Sequence, residues 1–177
     1  RGTHQIGGCA TEIRTNNTRI FIDFGAELDE ETASPLAIEG VTAGDSRCDA
    51  IFFTHYHGDH MGLMDMVNPD IPLYMGKASK EILTRLNNQT RKFPVELVER
   101  IRTFEAPQTV MIGNIAVTPL FVDHSAYDAH MFLIEADGKR VLHTGDFRNH
   151  GFRGKGLLPT LRKYVGKVDA LICEGTT

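Results

Sequence analysis

Residues 55 to 60 read His-Tyr-His-Gly-Asp-His and follow directly on the apolar run Ala50-Ile51-Phe52-Phe53. A short unbroken apolar run suits a strand covered on both faces, so the chain must fold around that strand and present the cluster at its C-terminal end. Four metal-capable side chains within six residues are costly to place beside a core for packing alone, because each buried ionisable group needs a compensating partner. A cation is such a partner. His55 and His57 alternate about Tyr56, which puts both imidazoles on one side of an extended or turning segment. Asp59 and His60 then turn towards a second ion. Mixed imidazole and carboxylate donors suit a borderline cation such as zinc, with manganese as the alternative.

The remaining strands are expected to complete the site. Cys9 to Thr15 and Arg19 to Asp23 flank the turn-prone pair Asn16-Asn17, which predicts an opening hairpin. A long acidic connection follows over residues 25 to 46, and loops of that length are more often functional than idle. Further strands are predicted over Ile71 to Met75, Ile101 to Glu105, Thr109 to Ile112 and Ile115 to Val122. Met131 to Ala136 and Lys139 to His143 flank the hairpin signal Asp137-Gly138, and Val168 to Cys173 reads as a final buried strand. The spacing of Ile82, Leu83 and Leu86 predicts a helix over Lys77 to Asn88, and Pro159 fits the first turn of a short helix over Leu157 to Tyr164. Asp23, His55, His124, Asp146 and Glu174 each follow on one of the apolar runs. Ends of neighbouring strands lie close in space while their loops free the side chains to converge, so these residues are expected in one site. His124 would complete three imidazoles on the first ion, leaving a position for water as catalytic zinc does, and Asp146 is the candidate bridging carboxylate.

Other features read as structural. His4, His130, His143 and His150 are expected at the surface or in local hydrogen bonds. Cys9, Cys48 and Cys173 are odd in number and form no Cys-x-x-Cys pair, which makes them small buried hydrophobes. Gly7-Gly8 allows either a close backbone approach or a plain turn. Gly151 to Gly156 does not fit the phosphate-loop pattern, and no Gly-x-Ser-x-Gly elbow activates Ser125.

With these residues placed, the chain resembles the metallo-β-lactamase superfamily, whose signature is His-x-His-x-Asp-His. Asp23 is similar to the family's first motif, His55, His57, Asp59 and His60 to its second, His124 to its third and Asp146 to its fourth, in the family's order. The resemblance implies an αββα sandwich of mixed α/β class, with two divalent metal ions. His55, His57 and His124 would hold one ion, and Asp59, His60 and a bridging Asp146 the other, with Asp23 orienting the cluster from behind. Asp169-Ala170-Leu171-Ile172-Cys173-Glu174-Gly175-Thr176 and Val122-Asp123-His124-Ser125 resemble motifs of the β-CASP subgroup, nucleases that include ribonuclease J. That subgroup leaves its hydrolase domain after the acidic motif for an inserted second domain. The expectation is therefore that residues 1 to 177 are a partial metallo-β-lactamase-like domain lacking its last elements, with the insertion after Thr177. The later histidines of the subgroup have no counterpart here, so the piece by itself is expected to hold an incomplete site.

Charge narrows the substrate. The net charge of -4 hides a division: residues 23 to 49 carry eight acidic side chains against Arg47, and residues 139 to 167 eight basic ones against Asp146. Arg148, Arg153 and Lys155 come just after the proposed bridge and are candidates for holding phosphates. The leading expectation is a ribonuclease in which a dinuclear zinc-bound hydroxide attacks phosphorus, with Asp59 handling its proton and Asp23 and Glu174 supporting. The alternatives are a small-molecule metallo-hydrolase of a thioester, lactone or β-lactam, and a non-catalytic binding module. Single-stranded RNA is the expected partner, and homo-oligomerisation is left open. No apolar run approaches the roughly 20 residues of a membrane span, and no signal-peptide pattern opens the chain, which reads as cytoplasmic.

Overall fold

The computed structural model describes residues 1 to 28 and 36 to 175. Part of the acidic connection and Thr176 of the last motif lie outside the described residues.

The first sheet runs β1 (Thr11–Arg14), β2 (Arg19–Ile22), β3 (Ala50–Phe52), β4 (Leu73–Gly76) and β5 (Arg102–Phe104), in that spatial order. β1 and β2 form the expected antiparallel hairpin, and every later pair is parallel. Parallel pairs need crossovers. The β4 to β5 crossover carries α2 (Lys77–Thr90) and α3 (Val95–Glu99). The second sheet runs β10 (Ala170–Ile172), β9 (Lys139–His143), β8 (His130–Ala136), β7 (Ile115–Phe121) and β6 (Val110–Ile112). Its strands are antiparallel except for the parallel pair β9 and β10.

Side-chain alternation sorts each strand between two cores. Ile20, Ile22, Ala50, Phe52 and Phe104 of the first sheet meet Ile115, Val117, Phe132 and Ile134 of the second, forming the layer between sheets. Phe52 is its anchor: it stacks on Tyr74 with centroids 4.7 Å apart and meets Phe132 edge-on at 5.8 Å. The alternate residues Phe21, Ile51, Phe53, Leu73 and Met75 pack outward with Leu83, Leu97 and Val98 of the helices. Behind the second sheet, Leu120, Met131, Leu133 and Leu142 meet Val165 and the half-buried Leu157 and Leu161. The latter belong to α4 (Leu157–Thr160), which continues with π geometry over Leu161–Val165. Helices thus cover both outer faces of two stacked sheets, the expected αββα order.

α2 draws its N-terminal cap from outside its own sequence. Its first residues carry no capping side chain, but Asp128 Oδ2, from the β7 to β8 loop, accepts the Ser79 N–H at 2.9 Å. This satisfies one of the orphan donors of the first turn.

Topology sets the site. β2 and β3 are parallel neighbours, so Asp23 and Thr54 to His55 emerge at one edge. β7 and β9 flank antiparallel β8 and therefore point the same way, with β10 parallel to β9. His130 N–H donates to the Thr54 carbonyl at 3.0 Å, tying the two sheets together at that edge.

Two expectations are corrected. β10 was expected to be buried, but it is an edge strand paired on one side, and Leu171 is 58 % exposed. Of the cysteines, Cys48 is buried, Cys9 half-buried and Cys173 exposed. Cys173 follows an edge strand, where one neighbour is not enough to cover a side chain.

Candidate metal centre

The backbone changes conformation in the middle of the histidine motif. His55 and Tyr56 continue from β3, His57 is extended at φ -71° and ψ 151°, and Gly58–Met61 make a single helical turn, α1. His57 therefore projects from extended chain, and Asp59 and His60 from the turn. The ends of β7 and β9 bring in His124 and Asp146, and the nitrogens of His55, His57 and His124 lie within 4.8 Å of one another, as do donor atoms of His55, His60 and Asp146.

The distances fit a cation. His55 Nε2 and His57 Nδ1 are 3.1 Å apart, and His124 Nε2 and His57 Nδ1 3.4 Å. Two nitrogens bound at about 2.05 Å to a tetrahedral ion lie about 3.3 Å apart. At this spacing either a ring proton shared between the nitrogens or a cation among their lone pairs satisfies them. Asp146 faces both groups, with Oδ1 3.2 Å from His60 Nε2 and Oδ2 3.9 Å from His124 Nε2. Asp59 stands at the rim, its Oδ2 3.6 Å from His60 Nε2.

Beneath the donors lies a polar floor. Asp23 is fully buried and takes a left-handed turn at φ +62°, a conformation that Asp tolerates better than most residues. Its carboxylate accepts the Thr54 N–H at 2.7 Å, the Thr54 hydroxyl at 2.9 Å and His60 Nδ1–H at 2.8 Å. Thr54 Oγ1 in turn lies 3.0 Å from His55 Nδ1. With its own hydrogen given to Asp23, the hydroxyl accepts from His55. Both histidines thereby keep their Nδ1 protons and turn Nε2 lone pairs to the centre, the orientation that ligating imidazoles need.

The electrostatics agree. Burial, reinforced by the neighbouring histidines, drives His55 far below the usual histidine range, so it is a neutral donor. Burial also holds His124 down. Burial works against charge on His60, but Asp23 and the hydrogen bonds to Asp146 and Asp23 outweigh it and raise this histidine. Burial likewise opposes charge on Asp146, yet His60 and the other imidazoles lower it overall. His60 thus lies between two carboxylates that favour positive charge, a role that a divalent ion could fill in place of the proton.

Sequence reading missed two contributors, Thr54 and Gly25. Thr54 carries no motif signal, yet it links Asp23 to His55. Gly25 lies where a Cβ would fall on the Asp59 carbonyl and within 2.8 Å of the His60 nitrogen, so only glycine lets this loop pass beneath the cluster. His143 is a local hydrogen-bonding residue, as expected: its Nδ1 accepts the Gly145 N–H at 3.1 Å and its Nε2 meets Thr11 Oγ1 at 3.2 Å. This anchors the backbone just before Asp146. Glu174 accepts a hydrogen bond from the Phe147 N–H, just after Asp146.

The basic candidates divide. Arg148 pairs with buried Asp123 at 3.5 Å, and its N–H donates to the Asp123 carbonyl at 2.7 Å. The backbone bond pins the loop, and the guanidinium faces the Asp123 carboxylate without a hydrogen bond. Arg153 lies over the Phe121 ring at 4.3 Å, and Lys155 over Phe152 at 5.4 Å. Among the described residues neither pairs with a carboxylate.

Comparison with known proteins places this geometry. Residues 18–177 match the family model described as a beta-lactamase superfamily domain. The chain is 26% identical over 185 residues to an "RNase J-like protein" of Methanocaldococcus jannaschii, covering 99% of this chain and 41% of the relative. It is 25% identical over 197 residues to "Endoribonuclease ysh1" of Emericella nidulans, covering 99% of this chain and 22% of the relative. It thus spans less than half the length of these two relatives. Among solved structures, a protein of unknown function from Enterococcus faecalis V583 superposes with a TM-score of 0.81 at 26% identity, over 97% of this chain and 48% of the other. Zn(2+)-bound PqqB from Methylobacterium extorquens gives 0.63 at 15% identity, over 93% of this chain and 59% of the other, a likeness of fold alone. Two stacked sheets with helices outside, five strand ends converging on imidazoles and carboxylates, and a family match along most of its length establish that the chain belongs to the metallo-β-lactamase superfamily.

Proposed function

We propose that the protein, at full length, is a metal-dependent phosphodiesterase that cleaves single-stranded RNA. The observation that carries this reading is the shared carboxylate: the two oxygens of Asp146 face different donor groups, as a two-ion centre for phosphoryl transfer requires. Relatives named as ribonucleases support the choice of substrate. His55, His57 and His124 would hold one ion, and His60 and Asp146, with Asp59 at the rim, the other; zinc suits this donor set and manganese is the alternative. Bound there, divalent cations supply the charge that activates water and offsets the negative charge growing on phosphoryl oxygens.

The protein's own groups perform the rest. Asp59, partly exposed beside His60, would take the proton of the attacking water. Asp23 and Thr54 hold the two histidines in one tautomer, and Glu174 fixes the loop that carries Asp146. Arg153 and Lys155 leave that same loop with charge free for phosphates flanking the scissile one.

The test is incubation of the metal-loaded full-length protein with single-stranded RNA, DNA and a panel of thioesters and lactones. RNA cleavage that a chelator abolishes is the expected result. Replacing Arg153 and Lys155 by alanine should flatten the slope of log affinity against log salt by roughly one to one and a half, at about 0.7 per phosphate contact. Intact nucleic acid beside a hydrolysed thioester or lactone overturns the reading in favour of a small-molecule hydrolase.

A further inference from the structure

Two loops leave the metal donors and come together at the surface. One follows His124 and carries Tyr127; the other follows Asp146 and carries Phe152, Arg153 and Lys155. Both are pinned to the site. The Tyr127 N–H donates to the Tyr56 hydroxyl at 3.1 Å, and Tyr56 separates the first two histidines of the motif. The second loop is held by the Asp123 to Arg148 contacts and by Gly151, where a Cβ would overlap the Asp123 carboxylate.

What these loops present is unusual for a free surface. Phe152 is 86 % exposed, Tyr127 60 %, and Phe121 is also exposed. Arg153 joins two of these rings, lying 4.3 Å from the Phe121 centroid and 5.7 Å from that of Tyr127. Lys155 stands over Phe152. Exposed rings interleaved with cations that have no carboxylate partner among the described residues match one ligand chemistry closely. Bases have π-faces for the rings, and the phosphates between them answer the charges.

We propose that Tyr127 and Phe152 form a base-stacking platform beside the metal centre, with Arg153 and Lys155 holding the intervening phosphates of a single strand. Arg153 is half-buried, with its guanidinium carbon set over two aromatic rings and no carboxylate partner among the described residues, which suits a phosphodiester better than an apolar protein face. The proposal rests on the ribonuclease reading for the identity of the strand, and its test separates the two.

The test measures binding of the full-length protein, in chelator to prevent cleavage, to a fluorescent single-stranded RNA and to an abasic ribose-phosphate oligomer of equal length. The wild type should bind the base-bearing strand at least about tenfold more tightly, since each stacked base contributes at this level. Phe152→Ala with Tyr127→Ala should erase that preference while leaving affinity for the abasic strand unchanged, and Phe152→Trp should retain it. A preference that survives the double substitution overturns the platform, whether or not the wild type cleaves RNA. So does a double variant with unchanged binding and lowered thermal stability, which would show that the rest of the full chain covers these rings. If the wild type cleaves no RNA in the separate assay yet shows the ring-dependent preference, the platform stands as a binding surface and the ribonuclease reading fails.

Discussion

Asp23→Asn isolates what the polar floor contributes. The carboxylate accepts three hydrogen bonds at 2.7, 2.8 and 2.9 Å in a fully buried position. Asparagine keeps one oxygen and replaces the other by an NH₂ group. With its oxygen left towards the Thr54 N–H, the amide hydrogens face the Nδ1–H of His60. Turned the other way, they face the Thr54 N–H. Either orientation sets two donors against each other, and the relief available is for His60 to move its proton to Nε2, the nitrogen that faces Asp146 at 3.2 Å. The proposed second ion would then lose a lone pair while the first would keep His55, His57 and His124. Substitutions of this supporting kind cost about 10- to 100-fold in metal affinity, or about 1.4 to 2.7 kcal/mol. Calorimetric titration of zinc into metal-stripped protein should show one site little changed and one weakened by that factor. Asp146→Asn should weaken both, because its oxygens face both groups. Equal loss at both sites in Asp23→Asn, or no loss, refutes the division between ligand and support.

Three further outcomes follow from the geometry. His55→Ala with His57→Ala should abolish stoichiometric metal, measured by elemental analysis after gel filtration; metal retained at full occupancy would dismiss the assignment. Gly25→Ala places a methyl on the Asp59 carbonyl, where backbone cannot yield, so denaturant titration should show a loss at or beyond the upper end of the about 1–3 kcal/mol typical of overpacking, and an unperturbed midpoint would contradict it. His130 is buried, and burial chiefly holds it down to about 4, with Asp128 opposing and Arg153 assisting. Its folded value lies below the unfolded value near 6.5, so the stability of neutral His130 is present above about pH 6.5 and is lost progressively as pH falls towards 4, by up to about 3 kcal/mol. In chelator, His130→Phe should show a shallower decline in unfolding free energy across that window, and an identical slope would exclude His130 as its source.

Much of the site was legible because strand periodicity and motif spacing are local properties. Alternation about Tyr56 is enough to put His55 and His57 together, and Asp137-Gly138 is enough to form the β8 to β9 hairpin. The apolar runs ending at Asp23, His55, His124, Asp146 and Glu174 mark strand ends without reference to how the strands pair. The short helix Val95–Glu99 gave too little periodicity to be read, and no sequence signal marks the Ser79 N–H as capped by Asp128.

What the sequence determined by itself was therefore which residues are candidate donors and on which segments they travel. Tertiary structure decided their partners. Whether Arg148 is free for substrate depends on the buried carboxylate of Asp123 beside it, and whether β10 is covered depends on what lies next to it in the sheet. Thr54 and Gly25 matter only because the Asp23 loop passes beneath the histidine turn, bringing a hydroxyl between two imidazole supports and two backbones into contact. A chain's local pattern fixes which way a side chain alternates, but a hydrogen bond or a close approach is a relation between segments distant in sequence, and it exists only once the sheets have closed.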